Sequence, residues 1–180
     1  MVTVEPTTRL SFRLLEPNTE DGKLLWQLDQ DPEVMHFING GKPTSKTEIE
    51  QVVLPRLASY SNAVSGWGMW GIFSQKEFVG WILVRPMDFF SDQPQLANLE
   101  LGWRFMRSTW GRGIATEAAQ QVMQSIRMQT GVTLFSAIAV KENTASIRIM
   151  QKLGMQFKRS GIHHDPLGDM QVDTYEVKLD

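Results

Sequence analysis

Residues Glu100 to Ala118 constrain this chain more than any other stretch: Glu-Leu-Gly-Trp-Arg-Phe-Met-Arg-Ser-Thr-Trp-Gly-Arg-Gly-Ile-Ala-Thr-Glu-Ala. An apolar, aromatic-rich run breaks into a polar turn with two glycines, Gly111 and Gly113, then resumes as an alanine-rich amphipathic pattern. The order predicts a strand, a glycine turn and a helix. The first backbone N–H groups of a helix have no partner within it, and its dipole favours negative charge there. Glycines just upstream let a phosphate approach without meeting a Cβ. A phosphorylated ligand is therefore expected at this turn.

The rest of the chain supplies elements around it. Leu10–Leu15 alternates as a first strand and stops at Glu16-Pro17-Asn18. Asn18 or Thr19 can cap a helix reaching Leu28, and Pro32 suits the first turn of a second short helix. Ser45-Lys46-Thr47-Glu48 fits a capping box that opens a helix with Ile49, Val52, Val53 and Leu57 on one face. Pro55 inside it predicts a kink or an early end. The runs Trp67–Phe73 and Phe78–Val84 read as a hairpin, and Leu96–Phe105 as the strand feeding the glycine turn. The helix after the turn ends near Gly131. A buried strand Val132–Val140, a helix Ala145–Leu153, and strands Gln156–His163 and Gln171–Leu179 follow. Hairpins followed by a β-α-β unit imply an α/β (α+β) fold, a mixed sheet covered by helices.

Composition narrows the function classes. The 180 residues suit a single domain spanning 1–180, and a net charge of −2 lacks the basic surplus of nucleic-acid binders. With no cysteine there are no disulfides, no thiolate metal sites and no cysteine nucleophile, which fits a cytoplasmic protein. The N-terminus lacks the form of a signal peptide, and no run approaches ~18 apolar residues, so no membrane association is expected. His36, His163 and His164 lack metal-site spacing, so no metal is expected.

A dinucleotide does not suit the turn. Gly111-x-Gly113-x-x-Thr116 lacks the third glycine of the fingerprint, and Thr133, about twenty residues on, is not an acid. A P-loop needs Gly-Lys-Ser/Thr, which is absent. Taken alone, the turn also fits a plain glycine connection with no ligand.

Trp110-Gly111-Arg112-Gly113-Ile114-Ala115-Thr116-Glu117-Ala118 resembles the acyl-CoA-binding signature of the GCN5-related N-acetyltransferase (GNAT) superfamily, Gln/Arg-x-x-Gly-x-Gly/Ala. Gly113 and Ala115 match, and Trp110 replaces the Gln/Arg. The form is similar to the branch of ribosomal-protein N-terminal acetyltransferases (RimJ/RimL type). Asn143-Thr144-Ala145-Ser146 leading to Lys152-Leu153-Gly154-Met155 is similar to that branch's second signature, with Met155 where Phe is usual. Arg9–Leu14 and Asp31-Pro32-Glu33-Val34 resemble its opening strand and first helical segment.

The resemblance implies the acyl-CoA N-acyltransferase fold. This is a mostly antiparallel sheet of about six or seven strands flanked by about four helices, splayed between strands 96–105 and 132–140. Acetyl-CoA would lie in the gap as cosubstrate. Its pyrophosphate would meet the backbone of Gly111, Arg112, Gly113, Ile114, Ala115 and Thr116, and its pantetheine arm would pair with Phe105, Met106 and Arg107. Arg112 would touch phosphate or remain a solvated turn residue; Asn143 would contact CoA, cap its helix, or do both.

The reaction implied is direct attack of an amine on the thioester, with an oxyanion held by N–H groups near Phe105 and Met106. Glu100, an acid in an apolar strand, is the candidate base through water; its alternative is a solvated face. Many superfamily members place a proton-donating Tyr where this chain has Met150. Ser146, one turn earlier, is the remaining candidate, against the role of a back-bonded helix serine. The acceptor is an amine, either a peptide N-terminus or a small molecule, and the chain would act as a monomer or homodimer. Met150 also suggests a rival, a noncatalytic CoA-binding module. Gly113→Val is predicted to weaken CoA binding far more than stability.

Overall fold

A computed structural model describes all residues from Met1 to Asp180. Seven strands form one sheet in the order β1-β2-β3-β4-β5-β7-β6. They are β1 (Ser11–Leu14), β2 (Gly68–Ser74), β3 (Glu77–Met87), β4 (Gln95–Phe105), β5 (Leu134–Ala139), β6 (Gln156–His163) and β7 (Met170–Lys178). Only β4 and β5 run parallel, joined through α5 (Ile114–Thr130). The remaining neighbours are antiparallel.

The N-terminal helices start where their capping residues stand. Asn18 accepts from the Asp21 N–H at the head of α1 (Thr19–Leu28), and Asp31 from the Glu33 N–H ahead of α2 (Pro32–Asn39). Ser45 and Glu48 close a reciprocal capping box on α3 (Lys46–Glu48). The helix then continues past Pro55. A π-turn over Ile49–Val53 carries it into α4 (Leu54–Tyr60), with the Leu54 N–H bonded to the Ile49 carbonyl. The widened turn absorbs the proline that would otherwise break the ladder. Counting this run as one, five helices flank the sheet, the last being α6 (Thr144–Lys152).

Strand alternation sorts the side chains into two cores. Leu99, Leu101 and Phe105 of β4 pack against Ala118, Val122 and Ile126 of α5 in the larger one. On the opposite face, Trp81 and Leu83 of β3 pack against Leu25 and Leu28 of α1 and Leu57 and Tyr60 of α4. The first face belongs to α5 and α6, and the second to the N-terminal helices.

β3 runs three residues beyond the expected Val84, adding Arg85, Pro86 and Met87. Pro86 is tolerated inside the sheet because β2 ends opposite Val84, so no neighbour on that side awaits its missing N–H. β4 and β5 pair only through Asn98–Leu134, Leu99–Phe135 and Glu100–Ser136. Beyond Glu100 they part, and β5 continues to Ala139 bonded to β7 alone.

Candidate active site

The gap between β4 and β5 exposes backbone whose direction follows from register. Antiparallel partners alternate between exchanging both backbone bonds and exchanging none. Pro86 stands opposite Leu99 without an N–H to give, while the Met106 N–H donates to the Val79 carbonyl at 2.9 Å. Even-numbered residues of β4 therefore bond to β3, and odd-numbered ones face β5. Past the Glu100–Ser136 pair, the backbone of Trp103 and the N–H of Phe105 turn into the gap with no strand to meet them.

This moves the expected cofactor edge. The Phe105 carbonyl accepts from the Trp110 indole at 3.0 Å. Met106 gives its N–H to Val79, and its carbonyl accepts from the Thr109 N–H and hydroxyl. Arg107 pairs with Asp31 at 3.0 Å, and its carbonyl accepts from the Trp110 N–H. Of the expected oxyanion donors near Phe105 and Met106, Phe105 has an N–H facing the gap, whereas that of Met106 is already engaged.

Below the gap sits the glycine turn. Gly111 and Gly113 both adopt the left-handed backbone, at φ 71° and 73°, and Gly113 is the residue from which α5 starts. No side chain caps this helix. Its first internal bond is from the Glu117 N–H to the Gly113 carbonyl, so the N–H groups of Ile114, Ala115 and Thr116 bond to nothing in the chain. The Ile114 side chain is buried in the larger core, which fixes the helix start, while Arg112 is exposed.

The N-terminal segment holds the turn from behind. Arg9 donates to the Arg112 carbonyl at 2.8 Å and pairs with Glu117 at 2.7 Å, and the Thr7 hydroxyl donates to the same carboxylate at 2.6 Å. Burial opposes the charge on Glu117, but Thr7 and Arg9 outweigh it and hold the carboxyl below its usual range. These partners tie down a carboxylate that would otherwise repel a phosphate.

Glu100 is 5% exposed, so the solvated-face alternative does not hold. Its carboxylate meets Arg85 of β3, directly opposite in register, with Nε at 2.9 Å and Nη2 at 3.3 Å. Burial opposes the Arg85 charge, but Glu100 more than offsets it and the guanidinium is held more firmly protonated than usual. Tyr60 and Phe90 lie against that guanidinium, at 5.5 and 5.3 Å from ring centre to Cζ. Burial pushes the Tyr60 phenol up to about 12.

Arg56 of α4 stacks on Phe90 at 3.9 Å and bonds Asp165, in the β6–β7 turn, at 2.5 Å. Burial opposes the Asp165 charge, yet Arg56 and the Leu167 N–H hold its carboxyl below the usual range. Arg104 pairs with Asp29 at 2.6 Å and leaves its buried Nε without a partner. A cavity of about 740 Å³ opens between the β3–β4 loop and the β6–β7 hairpin, lined by Met87, Asp88, Gln95, Arg159, His163 and Thr174 among others.

On the other face, Asn143 caps α6 by accepting from the Ser146 N–H at 3.2 Å. Ser146 is not back-bonded to its own helix. Its hydroxyl accepts instead from the Trp103 indole at 3.0 Å. Glu100 and Ser146 thus flank β4 from opposite sides. Met150 is 1% exposed and lies in the larger core.

Arg85 escaped the sequence reading as a site residue; Trp103 counts there only among the aromatic residues expected around the acceptor, and its bond to Ser146 was not foreseen. The signal for Arg85 was a lone cation at the end of an apolar run, able to answer the lone acid Glu100. Trp103 carried none for that bond beyond its place in the strand.

Comparisons with known proteins agree with this geometry. A family model described as an acetyltransferase (GNAT) domain matches residues 9–156. The FsC-acetyl coenzyme A-N(2)-transacetylase of Aspergillus fumigatus is 28% identical over 157 residues, covering 86% of this chain and 66% of that protein's length. Among solved structures, an apo crystal form of RimL, a ribosomal L7/L12 alpha-N-protein acetyltransferase, superposes with a TM-score of 0.75 at 19% identity, covering 99% of this chain and 96% of that one. A putative acetyltransferase, yncA of Salmonella typhimurium with its cofactor acetyl-CoA, gives 0.69 at 14% identity, covering 96% and 95%.

Proposed function

The chain belongs to the GNAT acetyltransferase family and is an acyltransferase, its members using acetyl-CoA as cosubstrate, and we propose that it transfers acetyl directly to a small primary amine. The observation that carries this is the uncapped start of α5, set below the opening between β4 and β5. Free N–H groups at 114–116 suit the pyrophosphate, with Gly111, Arg112 and Gly113 beside it, and the backbone of Trp103 and Phe105 suits the pantetheine arm. Asn143 caps α6 through its Oδ1, which leaves its Nδ2 donor for CoA.

A neutral amine attacks the thioester carbon, and the Phe105 N–H receives the oxyanion. The carbon–sulfur bond then breaks, and the proton lost by nitrogen ends on the thiolate. Glu100 relays that proton through water, held in place by Arg85. Ser146 takes the donor role on the thiolate side, since Met150 offers no hydroxyl.

A small acceptor is favoured over a peptide N-terminus because the Arg56–Asp165 pair bridges α4 and the β6–β7 turn across the acceptor face. A peptide needs an open groove there. The likeness to a protein N-terminal acetyltransferase is one of fold.

The test is release of free thiol from acetyl-CoA over a panel of small amines and N-terminal peptides. Release with small amines is expected. Release with peptides alone overturns the acceptor class, and acetyl-CoA binding without release on any amine favours the noncatalytic module. In the same assay, Glu100→Gln is expected to lower the rate at least tenfold with CoA affinity near normal. An unchanged rate removes Glu100 from the proton path.

A further inference from the structure

We infer that Trp103 is a positioning residue for acetyl transfer, aiming the Ser146 hydroxyl at the sulfur of CoA. The inference rests on the acetyltransferase reading above and adds a residue to it.

Trp103 does two things from one position. Its backbone faces the gap past the last β4–β5 pair, and its indole passes to the α6 side, where Nε1 donates to the Ser146 Oγ at 3.0 Å. That bond joins β4 to α6 across the opening, from residues 43 apart in sequence. A mid-helix serine can return its hydroxyl to the carbonyl four residues back, but Ser146 stands in the first turn of α6, where that carbonyl belongs to Glu142 before the cap. Here the hydroxyl donates to no group in the chain, although it accepts from the indole. A hydroxyl carries one proton and two acceptor sites. With the indole N–H on one acceptor site, the proton is directed away from Trp103. The Asn143 cap on the Ser146 N–H fixes the backbone beneath it.

Charge grows on sulfur as the carbon–sulfur bond breaks. A hydroxyl already turned outward donates a hydrogen bond that strengthens with that charge, without giving up its proton. The proton that converts thiolate to thiol comes from the acceptor nitrogen. Trp103 touches none of the reacting atoms with its side chain, and its part is to set the direction of the Ser146 donor.

The experiment measures thiol release, calorimetric acetyl-CoA affinity and tryptophan emission for the wild type, Trp103→Phe, Ser146→Ala, Ser146→Thr and the Trp103→Phe/Ser146→Ala double variant. Phe keeps an aromatic ring against the core, removing the N–H donor together with part of the ring volume. The maximal rate is expected to fall about fivefold in Trp103→Phe and about tenfold in Ser146→Ala. Ser146→Thr, which keeps a hydroxyl, should retain most of the rate. The double variant should be no slower than Ser146→Ala, because the indole acts through the serine. Acetyl-CoA affinity should stay within about twofold throughout, and the emission change on binding should shrink in Trp103→Phe. A full rate in Trp103→Phe, losses that multiply in the double variant, or affinity falling in step with rate each overturns the inference. A wild type that binds acetyl-CoA and releases no thiol on any amine overturns the acetyltransferase reading and takes this assignment with it.

Discussion

Arg85→Met is expected to lower stability by about 3–5 kcal/mol, the cost of leaving a buried carboxylate without its cation. In a chain of this length that is a fall in melting temperature of roughly 10 °C or more. Glu100 would keep its burial and lose both bonds to the guanidinium, and Tyr60 and Phe90 would lose the cation lying against them. The Arg85→Met/Glu100→Met variant should recover most of the loss, because two apolar side chains of similar volume remove the desolvation cost on both sides. It should also transfer acetyl poorly, since the proton path goes with Glu100. Thermal melting of the single and double variants checks both statements. A single variant as stable as the wild type would show that the pair is wetter than its 9% and 6% side-chain exposures indicate.

The second large effect is on cosubstrate affinity. Gly113→Val should weaken acetyl-CoA roughly 100-fold, as a branched Cβ enters the space a phosphate must cross and displaces one or two charge-assisted N–H contacts. The strand–turn–helix order suggests this exchange as a probe of binding alone, but φ at Gly113 is 73°, where a side chain strains the backbone by at least about 1–2 kcal/mol. Gly131 provides the control. It ends the same helix at φ 76°, and a Cβ there has nothing within 4 Å. Gly131→Val should therefore cost similar stability and leave CoA affinity unchanged. Calorimetric titration of both variants, set beside their melting temperatures, separates strain from phosphate contact. Equal affinity losses would mean that the turn serves only the fold.

These two cases mark what a sequence can reveal here. The glycine turn is local: an aromatic strand, two glycines and an alanine stripe lie within nineteen residues and dictate their own geometry. Asn18, Asp31 and the Ser45–Glu48 box are local in the same way, and their helices begin where those residues stand. The divergence of β4 and β5 was anticipated from family likeness; in the structure the two strands share three pairs and part after Glu100, while β5 stays paired with β7 along its whole length. Partners far apart in the chain were not legible. Arg85 answers Glu100 only once β3 is seen to run past Val84, toward a proline that normally ends such a strand. Arg9 reaches Glu117 across 108 positions, and no pattern of charges near either announces it. The capacity of Met106 to stabilise an oxyanion was misplaced because hydrogen-bond direction depends on register, which hydrophobic alternation does not fix by itself.

The same distinction explains why the donor side of the site is better defined than the acceptor side. In the proposed site acyl-CoA would be held by backbone, and backbone direction follows from strand pairing and helix start. The proposed acceptor face would draw on side chains of α1, α4, the β3–β4 loop and the β6–β7 turn, a region tied together by the ion pairs Arg104–Asp29 and Arg56–Asp165.

Amide hydrogen exchange of the wild-type protein with and without acetyl-CoA tests the placement of the donor most directly. The amides of Trp103, Phe105, Ile114, Ala115 and Thr116 lack partners in the chain, so they should exchange fast alone and slow markedly when acetyl-CoA is bound. No protection at these positions, with slowing confined to the cavity between the β3–β4 loop and the β6–β7 hairpin, would contradict a donor seated between β4 and β5.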